Sequence, residues 1–458
     1  MVDFASPYMP AHTDLAHESE VLRNLWQKGL LALQSLQTPL GITASGHNDH
    51  FHAIFGRDSL WTVLLALEAD RLQQASQNTF ILDTHVASYH SWLHDLSRTV
   101  LRGLASLQGR VVNDVNEEQP GRIVHEYWDP VPERMIAARW PVPRYYGAFD
   151  ATFLFLITIH HVVEYFQDWA LLDELWSGVE LAFQWMQEWS DLDQDGLVEY
   201  ARRNPEGIGL TNQVWKDSGE SLRSPNHAPL VHPVAWIEVQ GYAWAAYDSY
   251  RKMAERRHQL TPALKQTIER RKSRLVEGLQ RFWMDEEQFP AIALDGDKQR
   301  IPAVSSNPGH LLWSGCLDEL PASLVSKRLL QPDLFTPWGI RTLSDRAYYY
   351  NPLIYHCGAI WPFDNAVAAL GMQRYGHHAE AHEIAHRVLR ALCSFEDPVE
   401  LYTVQPSRWI RSHRIEHEWF LADYFYACSV QAWTAAAILY MTTLMLTNTT
   451  QDALIRTR

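Results

Sequence analysis

An all-α fold, arranged as a ring of helical hairpins with loops gathered at one end, is predicted by three features of this sequence. Apolar residues recur at helical spacing over 17–37, 57–73, 81–107, 150–168, 171–190, 235–256, 261–283, 361–374, 377–394 and 428–446, with shorter candidates near 307–316 and 322–331. The period-two alternation of half-buried strands is missing. Long loops at 40–56, 112–149, 201–234, 284–306, 332–360 and 395–427 hold nearly every cluster of charge and tryptophan. Helices bury a core while such loops build a site. With no Pro/Ser linker or low-complexity stretch, residues 1–458 read as one catalytic-sized domain, 1–50 being a short extension and first helix.

Composition narrows the function. A net charge of −15 repels phosphate backbones and anionic lipid, which argues against nucleic acid and membrane as partners. The 19 tryptophans exceed the 16 phenylalanines, favouring aromatics that stack on a ligand while keeping a polar edge. Four cysteines without close pairing make neither a disulfide framework nor a CxxC metal site, and read as buried thiols in a reducing compartment. The N-terminus lacks a signal-peptide pattern and no window reaches about 18 uninterrupted apolar residues. The expected location is the cytoplasm.

Along the chain, FGRDSLWT sets Arg57 and Asp58 at a helix start, where Asp58 serves either the helix N-terminus or, with Arg57, a sugar diol. GRIVHEYWD groups His125, Glu126 and Trp128, and RYYGAFD puts Tyr145, Tyr146 and Asp150 at the mouth of the next helix; each group suits a core as well as a site. DLDQDGLVEY alternates acids at 191, 193 and 195, but the twelfth position of a calcium loop is Arg202 instead of an acid, so a polar turn is expected.

Gln213, Trp215, Lys216, Asp217 and Ser218 surround a carboxylate with an aromatic, an amine and a hydroxyl. A glycosidic oxygen leaves only when protonated, so a carboxylic acid in a partly dry aromatic pocket is required; Asp217 is the candidate, the alternative being a turn whose Trp215 packs on the core. NPLIYHCGAIWPFDNA carries Tyr355, His356, Trp361 and Asp364, with Trp361 placed for stacking and His356 reading as a hydrogen-bonding histidine. Glu400 sits between Val399 and Leu401, where a carboxylate is either ion-paired with an arginine or functional. As a second carboxylate it would activate water.

Taken in order, FGRDSLW, GRIVHE, YYGAFDATFLF, DQDGLVEY, NQVWKDS, EVQGYAWAA, RTLS, NPLIYHCGAIWPFDNAVAALG, VEL and ACSVQAWTAA resemble the amylo-α-1,6-glucosidase (glycogen-debranching) type of glycoside hydrolase, among the six-hairpin glycosidases. The resemblance covers most of residues 50–440. It implies an (α/α)6 barrel of about twelve helices and cofactor-free inversion at a terminal α-glucosidic bond of a carbohydrate substrate. Asp217 is then the general acid and Glu400 the general base, about 6.5–9.5 Å apart. It also implies that Arg57, Asp58, His125, Glu126, Asp150, Trp215, Lys216, Glu238, Gln240, His356 and Trp361 line the terminal-sugar subsite, to which the aromatic pair adds Tyr146.

Two departures point away from a branched polymer. Relatives often carry a β-rich domain ahead of the barrel, for which the roughly fifty residues before FGRDSLW are too few, and a charged insert at 405–423, with Trp409 and Trp419, stands where relatives carry a Gly/Pro-rich loop. A lid over a small α-glucoside is one expectation. A phosphate pocket of Arg408, Arg411, His413 and Arg414, or an inactive glycan-binding barrel, are the alternatives.

Overall fold

The computed structural model describes residues 15–76, 86–225, 228–406, 414–416 and 419–456. Its helices are α1 (Leu15–Ser35), α2 (Gly56–Ala75), α3 (Val86–Ser106), α4 (Glu133–Ala137), α5 (Ala151–Phe166), α6 (Trp169–Glu188), α7 (Ile237–Arg256), α8 (Pro262–Leu279), α9 (Pro308–Ser314), α10 (Glu319–Leu329), α11 (Pro362–Arg374), α12 (His378–Leu392) and α13 (Ala432–Arg456). All twelve expected helices are present. Helical spacing over 261–283 overran its helix: α8 stops at Leu279, and a 3-10 turn and a two-residue strand follow. Of the helix expected over 81–107, residues 81–85 lie outside the described residues.

Sequence decides which helices sit inside. In α5 the run Ala151–Ile159 is buried on every side, and α2 buries most of its length. By contrast α8 buries only Ile268 and Leu275, and α12 a single stripe through Ala381, Ile384, Ala385 and Val388. A helix apolar all round needs neighbours all round, whereas one with a single stripe lies on the outside. The contacts obey this rule. α2 packs on α5, α5 on α7, α7 on α9, α9 on α11, α11 on α13, and α13 returns to α2. Outside them, α1 covers α13, α3 covers α2 and α5, α6 covers α5 and α7, α8 covers α7, α10 covers α9, and α12 covers α11 and α13.

Local signals terminate the helices. Gln167 adopts the left-handed conformation at the end of α5, and Asp168 then caps α6, its carboxylate accepting from Leu171 N–H at 3.1 Å. Thr261 caps α8 with Pro262 at the first helical position, and Pro362 likewise opens α11. At the end of α9, Gly315 has φ 75°, and a Cβ there would come within 2.3 Å of the Arg374 guanidinium.

Trp61 of α2, fully buried, fills the middle of the inner ring. Its ring centroid lies 5.9 Å from Tyr242, 5.7 Å from His310, 4.6 Å from Trp313 and 6.1 Å from Phe363, on α7, α9 and α11. The ring is therefore a packed core, closed below the loops.

Strands are few and short, yet two groups matter. Ile54–Phe55, Glu126–Tyr127 and Arg144–Tyr145 form one antiparallel ribbon. Tyr402–Pro406, Trp419–Asp423 and Arg414–Glu416 form another, built from the charged insert. Trp409, Arg408, Arg411 and His413 lie outside the described residues. The insert thus contains a sheet that helical or polar patterning did not predict.

The 191–199 turn carries its own cations. The carboxylates of Asp191, Asp193 and Asp195 converge within 4.8 Å, a group that could hold a metal ion by geometry. Lys298 Nζ stands 2.8 Å from Asp193 and 3.4 Å from Asp195 and also binds Glu199, while Arg271 and Arg281 pair with Asp191 and Asp195. Glu199 is fully buried. Lys298→Met should therefore cost about 3–5 kcal/mol in urea unfolding, the range for stranding a buried charge. A loss below about 1 kcal/mol would mark the cluster as solvent-screened.

Candidate active site

The long loops and the N-terminal ends of inner helices enclose a cavity of about 910 Å³. Arg57, Asp58, His125, Glu126, Trp215, Asp217, His356, Trp361 and Glu400 all line it. Residues expected from five separate segments thus converge on one pocket.

Arg57 organises the near side. Its Nε donates to Asp150 Oδ2 at 2.7 Å and its Nη1 to Asp217 Oδ2 at 3.2 Å, while buried Nη2 has no partner among the described residues. Asp150 is fully buried behind the arginine and does not reach the cavity. Asp217 keeps a quarter of its side chain exposed. Burial pushes its carboxyl up to about 6 against the opposing pull of Arg57.

The loop bearing Asp217 has no regular structure and is pinned from behind. Lys216 turns away from the cavity, donating to the Thr342 carbonyl at 2.6 Å, and Asn212 donates to the Ser218 carbonyl at 2.8 Å. Arg122 donates to Gln213 at 2.7 Å. Trp215 forms the floor, its ring 5.7 Å from His310 and 5.9 Å from Trp361. Packing on the core and lining the site are here the same position.

On the far side, Glu400 has no arginine partner among the described residues. Its Oε1 accepts from the Tyr355 hydroxyl, its Oε2 from the Cys428 N–H at 2.9 Å, and burial pushes it up to about 8. His356 stacks on Trp361 at 5.0 Å, nearly parallel. Its Nδ1 accepts from the Ser218 N–H at 3.4 Å, which leaves the proton on Nε2 by network assignment. Burial holds His356 and His125 well below the usual histidine range, so both are neutral.

Asp58 accepts from Gln431 Nε2 at 3.1 Å, and burial pushes it up to about 7. It sits in the first turn of α2, but no side chain caps that helix. The ribbon through Glu126 brings this carboxylate to the wall, where Trp128 donates at 2.9 Å and Trp140 also donates; burial pushes Glu126 up to about 7.

Four expected residues lie behind the cavity wall besides Asp150. The Tyr146 hydroxyl donates to the Leu107 carbonyl at 2.9 Å in the core. Gln240 clamps Val198 by donating to its carbonyl at 2.7 Å and accepting from its N–H at 2.8 Å. Glu238 is fully buried, raised by burial beside Asn307, and Lys216 is lowered by burial. Sequence reasoning passed over Arg134, Trp140, Gln431, Trp433, His50 and the run Tyr424–Tyr426, which also line the cavity. The word ACSVQAW held Gln431 and Trp433, but nothing in its pattern marks which of its residues face a ligand.

Residues 88–399 match the family described as mannosylglycerate hydrolase MGH1-like glycoside hydrolase domain. The chain belongs to this family. The match takes in Asp217 and ends one residue before Glu400. The resemblance to debranching enzymes thus holds at the level of glycoside hydrolase. No curated protein matches the chain.

Among solved structures, an uncharacterized conserved protein from Thermus thermophilus aligns at 15% identity over 91% of this chain and 100% of its own, with TM-score 0.62. A GH63 mannosylglycerate hydrolase from the same organism in complex with glucose aligns at 16% identity over 91% and 100%, TM-score 0.60. Its complex with Tris and D-glycerate gives 14% identity over 91% and 99%, TM-score 0.60. At such identities the likeness shows a shared helix-rich glycosidase fold.

Replacing Arg57 by Met in this MGH1-like hydrolase strands Asp150, which is fully buried. The expected cost is about 3–5 kcal/mol in chemical denaturation. The Asp217 titration, followed by carboxyl ¹³C shifts, should also move upward, since the opposing positive charge is gone. An unshifted titration would uncouple Arg57 from Asp217.

Proposed function

We propose that this chain is an exo-acting, inverting hydrolase of a small α-glycoside, working as a single-domain (α/α)6 barrel with Asp217 as general acid and Glu400 as general base. The circuit of six inner and six outer helices supports the barrel. The observation that carries the mechanism is that Asp217 and Glu400, from loops 183 residues apart, line one aromatic-walled cavity with different partners.

In the reaction, Asp217 gives its proton to the glycosidic oxygen as the C–O bond breaks. Glu400 takes a proton from a water that attacks the anomeric carbon from the opposite face, so the released sugar has inverted configuration. Tyr355 and the Cys428 N–H aim the Glu400 carboxylate. The free Nη2 of Arg57, Asp58 and the Nε2–H of His356 offer donors and an acceptor to ring hydroxyls, and Trp361 a stacking face. No cofactor enters these steps.

Between the two titrations the pair holds one proton, mostly on Glu400, which burial raises further. The productive form, with that proton on Asp217, is the minor one, and kcat/KM should still trace a bell with limbs near pH 6 and pH 8 as macroscopic values of the site. Asp217→Asn should slow a glycoside with a poor leaving group by a factor of about 10²–10⁴ and spare a glycosyl fluoride, whose leaving group needs no protonation. ¹H NMR of the first-formed anomer tests inversion. Retention, or equal losses on both substrates, would refute the assignment.

The cavity volume falls in the range of small-ligand sites, which favours a short aglycone over a polymer. The D-glycerate complex of the relative suggests a hydroxy acid as that aglycone. Two arginines line the cavity. Arg57 is occupied by two carboxylates, whereas Arg134, at the mouth, donates to the His50 carbonyl at 2.8 Å and forms no ion pair among the described residues. Arg134 is then the group that meets a carboxylate. Arg134→Met should raise KM for glucosylglycerate about tenfold, the scale of one charge-assisted contact, and leave KM for the uncharged glucosylglycerol unchanged. Equal changes for both would remove the anionic aglycone from the reading.

A further inference from the structure

The carboxylate of Asp49 is devoted to one short segment near the other end of the chain. Oδ1 accepts from the Ser429 N–H at 3.0 Å and the Ser429 hydroxyl at 2.8 Å, and Oδ2 accepts from the Val430 N–H at 3.1 Å. The two backbones are laced together around it. Gly46 N–H donates to the Val430 carbonyl at 3.0 Å, and Ala432 N–H to the Ala44 carbonyl at 2.9 Å. A Cβ at Gly46 would stand 2.9 Å from Asp49 Oδ2, so glycine makes room for the carboxylate.

The gripped segment serves two carboxylates of the cavity. Immediately before Ser429, the Cys428 N–H donates to Glu400 Oε2 at 2.9 Å, and the Glu400 N–H donates back to the Cys428 carbonyl at 3.0 Å. Immediately after Val430, the Gln431 amide donates to Asp58 at 3.1 Å. Residues 428–430 belong to no helix or strand. Their position therefore depends on the backbone bonds from Gly46 and Glu400 and on side-chain anchors, and three donors on one carboxylate are a strong anchor.

We propose that Asp49 is a positioning residue for hydrolysis: by holding Ser429 and Val430 it sets the Cys428 N–H against Glu400 and the Gln431 amide against Asp58, although it touches neither substrate nor base. This rests on the assignment of Glu400 as general base. Tyr355, Asp58, Cys428 and Tyr424 are the titratable groups that face Glu400. Slackening the segment weakens the N–H bond that favours the ionised carboxylate, so the Glu400 titration moves up in pH.

The test uses the full chain and α-D-glucosyl fluoride, whose hydrolysis needs the base but no acid. Asp49→Ala should lower kcat about tenfold to a hundredfold, the scale of a sub-ångström to ångström misplacement, with KM changed far less. The rise of kcat/KM with pH, which follows ionisation of Glu400, should shift upward. Ser429→Ala, which removes one of three donors, and Asp49→Asn, which keeps an acceptor for Ser429, should fall between wild type and Asp49→Ala; they also serve if the alanine variant fails to fold. Asp49→Ala combined with Glu400→Gln should lose far less than the product of the two single losses.

Native kcat and pH profile with only a lowered Tm, or multiplicative losses in the double variant, would overturn the proposal. A nearly inactive Glu400→Gln beside a native-rate Asp49→Ala overturns the proposal alone. Should Glu400→Gln keep its rate, the base assignment fails and the proposal with it.

Discussion

The bridge from Arg57 to Asp150 and Asp217 is the interaction on which the proposed site depends. A guanidinium buried at the start of α2 is tolerable only if carboxylates meet it, and they come from the start of α5 and from a loop 160 residues away. Because Asp150 is fully buried, the arginine cannot swing out to solvent without abandoning a charge. The inner ring thus transmits its own rigidity to a loop that lacks regular structure. Lys216, Asn212 and Arg122 complete the anchoring from behind.

The cavity concentrates acid groups. Asp58, Glu126, Asp217 and Glu400 line one pocket, and burial raises all four: Asp217 to about 6, Asp58 and Glu126 to about 7, Glu400 to about 8. What differs is the partner: an amide for Asp58, two indoles for Glu126, a guanidinium for Asp217, a phenol and a backbone N–H for Glu400. Each partner is a donor to the ionised form, of different strength. One low-dielectric pocket in this way brings its carboxyls to titrate near neutral pH, so that a carboxyl pair can share a single proton.

The mouth is set by elements without periodicity. Phe425 and Tyr426, the latter stacked on His50 at 4.2 Å, leave the sheet of the charged insert and flank the cavity together with Arg134. That sheet begins two residues after Glu400. The insert therefore bears on both Glu400 and the mouth of the cavity.

The twelve main helices were legible in the sequence, because a 3.6-residue apolar period is a local property, whereas which of them sit inside was read from the structure. Asp217 and Glu400 were legible as carboxylates in apolar or aromatic company, and the glycosidase resemblance joined them. Tyr146, Glu238 and Gln240 stood equally close to site words, yet they lie behind the cavity wall, Tyr146 bonded to the Leu107 carbonyl, Gln240 to Val198 and Glu238 buried beside Asn307. Only the tertiary structure brought Asp49 to Ser429, Arg57 to Asp217 and Tyr355 to Glu400. Those pairs are separated by 380, 160 and 45 residues, and no local pattern encodes which distant donors a buried carboxylate will meet once the helices close upon one another.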